Sequence, residues 1–347
     1  MKVKERNQYL DVVKGIAIIL VIIGHCIQYG YSSDYYASAG YFDNILFKTI
    51  YSFHMPMFAV LSGYLFYFTI SRKDVISLLK NRIIGLGLPI ITVGVISFCV
   101  KFRWGSYSLK GTVSLFFYSC LGSLWFVLAL LYCSLIFILL KVVFKKVSLI
   151  AIIAQIPLFF VIPDTFNLHY MKYLYLFFAV GYLWNICGGA YKINTRQLKF
   201  VLVGSGIIMI LLVMKIDTNV FVYQASYWLL NSTGQIKIIY YAMYRWIIGA
   251  VGCVFIYSAI YLLMPYLGRY KKVISILTSL GTTSLGIYIF QRIIIELFLL
   301  DFIKKQTFFI PWYGMILEIF VVTVVCWTLT KLTQKNRILK LLLLGGR

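Results

Sequence analysis

Asp11, Lys14 and His25 stand three and eleven residues apart within one apolar run. At ~100° per residue they fall within an arc of about 60° on one helix face, so they form a single polar stripe. The rise of ~1.5 Å per residue puts His25 about 16 Å beyond Lys14, and the two do not touch. An imidazole titrates near neutrality and suits general acid–base work. A cation at one end of the stripe and an imidazole toward the other suit a long substrate that enters past the cation. Asp11 and Lys14 also read as an i,i+3 pair at the membrane surface, and His25 as a hydrogen-bonded interhelical histidine.

A second apolar run holds Ser52, His54 and Pro56 within SFHMPMFAVLSGYLF. Proline cannot donate to the carbonyl four residues back, so Pro56 is expected to free the Ser52 carbonyl and kink the helix beside His54. Entering from the opposite side, His54 reaches a depth comparable with His25, and the two histidines can face one cavity. Farther along, Arg292 and Glu296 are four apart and read as a neutralising pair. Arg245 has no sequence-local partner and is a secondary candidate, and Glu318 in the last run is left unassigned.

The elements that carry these residues are membrane spans. The chain is 62% hydrophobic and 12% charged, with a mean hydropathy of +0.90, outside the range of soluble domains. A bilayer core of roughly 30 Å needs about 20 apolar residues per helix, and the backbone must satisfy itself there. The fold class expected is all-α and polytopic, with ten spans near 10–29, 46–68, 82–100, 121–141, 147–163, 170–187, 199–215, 240–263, 281–301 and 312–333. Gly281 and Ser284 are expected to break the ninth. The whole chain reads as one transmembrane domain, with no soluble domain added.

With both termini cytoplasmic, 21 Lys and Arg lie inside and seven outside, the bias of the positive-inside rule. The net charge of +23 then follows from topology and anionic lipid, and nucleic acid is not implied. The first run carries Asp11, Lys14 and His25 and does not read as a cleavable signal peptide. The seven Cys are scattered singly without metal-ligand spacing, so no metal site is expected.

The run YLDVVKGIAIILVIIGH, residues 9–25, followed by FHMPMFAVLSGYLF, residues 53–66, resembles the acyltransferase 3 family of membrane O-acyltransferases, in particular its fucose 4-O-acetylase-like branch. Arg82 with Pro89, LWF at 124–126, YLYLFFAVGYLW at 173–184 and LGTTSLGIYIFQ at 280–291 are similar to later family landmarks, in order. Lys14 stands where the family usually has Arg, Gly85 where a second Arg is common, and Gln291 where His is frequent.

The resemblance implies transfer of an acyl group, usually acetyl, from cytoplasmic acyl-CoA to a sugar hydroxyl of a bacterial surface polysaccharide or its lipid-linked precursor. His25 would be the general base, with His54 orienting it, acting as acid or contacting the acceptor. Lys14 and Arg82 would meet the phosphates of the donor, Asp11 would support Lys14, and Trp125 would stack on sugar or donor. Trp125 also suits an interfacial aromatic belt, and Arg82 a positive-inside anchor. Acetyl-CoA is expected as substrate, with no bound cofactor; membrane lipid and polysaccharide-assembly proteins are the expected partners, and the bacterial plasma membrane the location. The competing class is a transporter or flippase of a lipid-linked sugar, in which the same histidines line a pathway.

Overall fold

The computed structural model describes residues 7–103, 105, 107–186, 194–221, 226–231, 235–299 and 310–347. Among them the chain is helical throughout and no strand occurs. Helix α1, Gln8–Tyr29, starts at Asn7, whose side chain accepts from Leu10 N, and stops at Gly30. A short α2, Ser33–Ala37, and a single turn, Gly40–Phe42, lead into α3, Ile45–Ile70. Helix α4 spans Val75–Arg103, with a π-helical stretch at Ile83–Gly87. There follow α5, Leu109–Gly122, α6, Trp125–Phe144, α7, Leu149–Val161, α8, Leu168–Ile186, and α9, Thr195–Met214. The remainder is α10, Gln235–Leu267, α11, Lys271–Thr282, α12, Ser284–Gln291, α13, Trp312–Lys335, and α14, Arg337–Leu344.

Seven of the described helices, α1, α3, α4, α6, α9, α10 and α13, are long and apolar enough to cross a bilayer, and α11 with α12 adds an eighth if the pair is one span. That pair bends by 67° at Thr283, between the Gly281 and Ser284 expected to break it. The chain is therefore an all-α polytopic membrane protein. Its exposed faces are apolar, as on α9, where Ile207, Ile210 and Leu211 are all exposed. Lipid, not water, suits such a face.

Two departures from the sequence expectation stand out. The segment carrying Lys110, expected as an outer connection, contains α5, and Gly94 of α4 leaves no room for a Cβ against Cys120. The run at 147–163 is the short α7, interrupted after Ile153 and resumed at Ile156–Pro157. Pro56 stands in the interior of α3, beside His54. Helix α8 falls outside the seven because His169, Lys172 and its tyrosines lower its hydropathy. Ten of its residues are buried, so protein serves where lipid otherwise would.

Close packing divides the chain into two compact units. The first comprises Met1–His54, Lys192–Met214 and Val251–Leu332. In it α1 crosses α11 backbone to backbone: a Cβ on Gly15 would fall on the Leu277 carbonyl, and one on Gly281 on the Asp11 carbonyl. The second comprises Met55–Tyr191, Lys215–Ala250 and Thr333–Arg347. There Gly63 of α3 meets the Phe178 carbonyl and Gly181 of α8 the Val60 carbonyl. Small residues at such crossings let helices approach in lipid, where apolar burial alone supplies little association.

Candidate active site

His25 is buried four residues before the end of α1, in the first unit. Its Nδ1 lies 2.7 Å from Gln291 Oε1. The Gln291 amide nitrogen donates to the Tyr288 carbonyl at 3.2 Å, and a carbonyl only accepts, so the amide is oriented with its oxygen toward the imidazole. The proton of His25 therefore sits on Nδ1, and Nε2 carries the basic lone pair. Gln291 is wholly buried and ends α12, where the helix widens into a π-helical stretch, Arg292–Leu299. Such widenings often mark functional sites.

His54 is buried as well, and its Nδ1 donates to the Ile50 carbonyl one turn earlier at 2.7 Å. Its proton is fixed on Nδ1 by the same reasoning, leaving Nε2 as the acceptor. Tyr51 lies between the histidines, its ring centroid 6.3 Å from His25 and 4.7 Å from His54. The Tyr51 hydroxyl donates to Gln28 Oε1 at 3.0 Å. Gly24 makes room for the Tyr51 ring against α1. The two histidines are thus neighbours across one tyrosine, each with its tautomer set.

Near the start of α1, Lys14 Nζ pairs with Asp11 Oδ1 at 3.4 Å, Asp11 being nearly sealed and Lys14 partly open. The lysine stays on the histidine side of the helix, about three turns away. Arg292, on the Gln291 side, bears electrostatically on His25; the side chain of Glu296, its expected partner, lies outside the described residues.

The second unit holds the other candidates. Arg82 places its guanidinium 4.3 Å over the Phe66 ring, and its charge interacts with Arg347. Trp125 is buried at the start of α6 and faces Tyr170, centroids 4.4 Å apart. Arg245 is bound on every arm: Nε to the Val220 carbonyl at 2.6 Å, one terminal nitrogen to the Tyr227 hydroxyl at 3.0 Å and the other to the Asn219 carbonyl at 2.8 Å. These partners tie Asn219, Val220 and Tyr227 to α10, a fastening role.

Residue typing missed several groups. Lys172, completely buried, pairs with Asp164 at 2.6 Å, and Asp164 also accepts from the Ser226 hydroxyl and the Tyr227 and Trp228 amides. The lysine lies inside an expected span and could have been flagged on that ground alone. His169 lies against Tyr170, centroids 3.9 Å apart and the rings tilted by 45°, and Tyr170 in turn meets Trp125. Glu318, unassigned in the sequence, has both oxygens buried against Gly30 at the end of α1, with the Cys26 thiol beside them. Among the described residues no three His, Cys, Asp or Glu side chains gather as a metal site.

Long apolar helices and two buried, neighbouring histidines held within one compact unit define a multi-pass membrane protein with imidazoles in its interior. The family model described as an acyltransferase domain matches residues 7–331, and the chain belongs to that acyltransferase 3 family. Curated relatives include the nodulation protein NolL of Mesorhizobium japonicum, 32% identical over 181 residues, covering 51% of this chain and 48% of the relative. The nodulation protein NolL of Sinorhizobium fredii is 30% identical over 184 residues, with shares of 51% and 48%. The chain thus matches about half the length of the curated relatives. No solved structure matches it.

Proposed function

We propose that this protein is a membrane O-acyltransferase of the bacterial plasma membrane, moving an acyl group, acetyl in the simplest case, from acyl-CoA to a hydroxyl of a cell-surface polysaccharide sugar or its lipid-linked precursor. One observation carries the reading: His25 donates through Nδ1 to Gln291, so Nε2 is held as a base. As the acceptor oxygen forms its bond to the acyl carbon, Nε2 takes the hydroxyl proton. The carbon–sulfur bond breaks, and the proton passes to the departing thiolate, giving ester and free thiol. Such a base contributes about 10²–10⁴-fold. We assign His54 Nε2, across Tyr51, to contact the acceptor or assist the proton.

Lys14 and Arg82 are the residues assigned to the phosphates of the donor, Asp11 steadies Lys14, and Trp125 with Tyr170 offers an aromatic contact. Arg245 retains only a supporting place. Polysaccharide-assembly proteins are the partners expected in the cell. The test is acyl transfer in membranes given labelled acetyl-CoA and polysaccharide acceptors. Label in ester linkage, absent in membranes lacking the protein, supports the proposal; substrate movement without label transfer overturns it in favour of transport.

A further inference from the structure

The rings beyond the end of α1 form a closed circuit that begins and ends on His25. Centroid separations run 6.1 Å from His25 to Tyr29, 5.3 Å to Tyr36, 6.2 Å to Tyr41, 5.2 Å to Phe47, 3.8 Å to Tyr51 and 6.3 Å back to His25. All six belong to the first unit. His25, Tyr29, Phe47 and Tyr51 are buried, whereas Tyr36 and Tyr41 are half-exposed. The circuit therefore has a buried side at the base and an open side made by two tyrosines.

Backbone geometry builds that open side. Ala39 takes a left-handed conformation, φ 56°, a state that a non-glycine residue adopts only when its surroundings impose it. It turns the chain between α2 and the Gly40–Phe42 turn, so that Tyr36 and Tyr41 stack with an interplanar angle of 26°. Gly40 leaves space for the Tyr35 ring. Burial holds the Tyr35 and Tyr41 phenols above their usual range, so both remain neutral hydroxyls.

Composition selects the occupant. Residues 30–44, GYSSDYYASAGYFDN, contain five aromatic side chains, two Asp and no Lys or Arg, and both Asp are exposed. Aromatic faces meet the C–H faces of a sugar ring, while phenols and carboxylates bond its hydroxyls. With no cation, the segment lacks the partner that a phosphate headgroup, a nucleotide or a uronic acid needs. Exposed carboxylates equally disfavour a lipid-facing role.

We propose that the half-exposed Tyr36 and Tyr41, continuous through buried rings with His25, form the docking surface for the neutral sugar chain of the acceptor. This rests on the acyltransferase reading and deepens it by naming what carries the hydroxyl to the base.

Binding is measured separately from turnover, on full-length protein in nanodiscs with His25→Gln in the background. The probes are oligosaccharides of four to eight sugars released from the surface polysaccharide of the host cell and sorted into neutral and acidic fractions. The neutral fraction should bind at least tenfold more tightly than the acidic one. Tyr36→Leu and Tyr41→Leu should each weaken binding about tenfold, while Tyr36→Phe and Tyr41→Phe, which keep the ring face, should stay within about threefold. In the active protein the Leu variants should raise the acceptor KM and leave the acetyl-CoA KM unchanged.

Equal binding of Leu variants and parent, losses as large for Phe as for Leu, preference for the acidic fraction, or no binding to the parent would each overturn the docking surface. Failure of the acyltransferase reading looks different: neutral oligosaccharide binds and depends on the tyrosines, but no label is transferred. Should the Leu variants fail to fold, the Phe variants and the neutral-to-acidic ratio decide the matter.

Discussion

The tautomer of His25 is set at a distance of 266 residues in sequence, by a glutamine whose own amide is turned by the Tyr288 carbonyl. That chain of two hydrogen bonds makes definite mutational expectations possible. His25→Gln keeps hydrogen bonding and approximate size but cannot take a proton, so acyl transfer should fall by several orders of magnitude at matched expression. Near-normal turnover at saturating donor would remove His25 from the mechanism and shift the base to His54. Gln291→Leu deletes only the orienting acceptor and should lower kcat about 10–100-fold, the usual cost of losing such a partner, with both KM values little changed. A KM effect without a kcat effect would make Gln291 a binding residue instead. Lys14→Ala should raise the apparent KM for acyl-CoA, whereas Lys14→Arg keeps the charge and much of the activity. An altered acceptor KM alone would place Lys14 elsewhere in the chemistry.

At the scale of elements, the helix that carries His25 is held by the crossing of α1 with α11, where backbone touches backbone at Gly15 and Gly281. A methyl at Gly15 has to displace the Leu277 carbonyl, so Gly15→Ala should cost about 1–3 kcal/mol and lower the thermal midpoint of the purified protein together with its activity. Gly204→Ala on α9 is the control, because its Cβ meets nothing within 4 Å, and it should be neutral or slightly stabilising. Equal midpoints for the two variants would mean that the crossing is looser than its geometry implies. The helices themselves were legible in hydropathy, and the bend at Thr283 was legible from Gly281 and Ser284. The helix at Leu109–Gly122 was hidden because its short apolar stretch starts beside Lys110. The fastening of Arg245 was hidden because two of its partners are backbone carbonyls, which no residue type announces. His25 and His54 could be picked out as costly imidazoles in apolar runs, but the tyrosine between them and the glutamine behind one of them are tertiary facts.

For the whole molecule, the open quantity is the number of crossings, and with it the side on which the segments after α4 lie. Helices α5 and α7 decide it. At ~1.5 Å per residue, the 14 residues of α5 reach about 21 Å and a 13-residue α7 about 20 Å, short of a core of roughly 30 Å. Length alone settles neither, but charge separates them. The connection before α7 carries Lys141, Lys145 and Lys146, whereas the residues after it, from Ile162 to Asn167, carry one acidic group and no Lys or Arg. The positive-inside rule therefore places the two ends of α7 on opposite sides. Helix α5 has only Lys101, Arg103 and Lys110 near its start and packs back along α4, so it should enter and leave without adding a crossing. The prediction is ten crossings, with both termini cytoplasmic and His25 toward the outer half. Cysteine substitutions at Lys146 and Asp164, probed with a membrane-impermeant thiol reagent in intact cells, should be respectively protected and labelled. A reporter joined after Arg347 should be active only as a cytoplasmic tag. Labelling at both cysteine positions, or an extracytoplasmic reporter, would make α7 a re-entrant segment or α5 a crossing and reverse the side assigned to every segment that follows it.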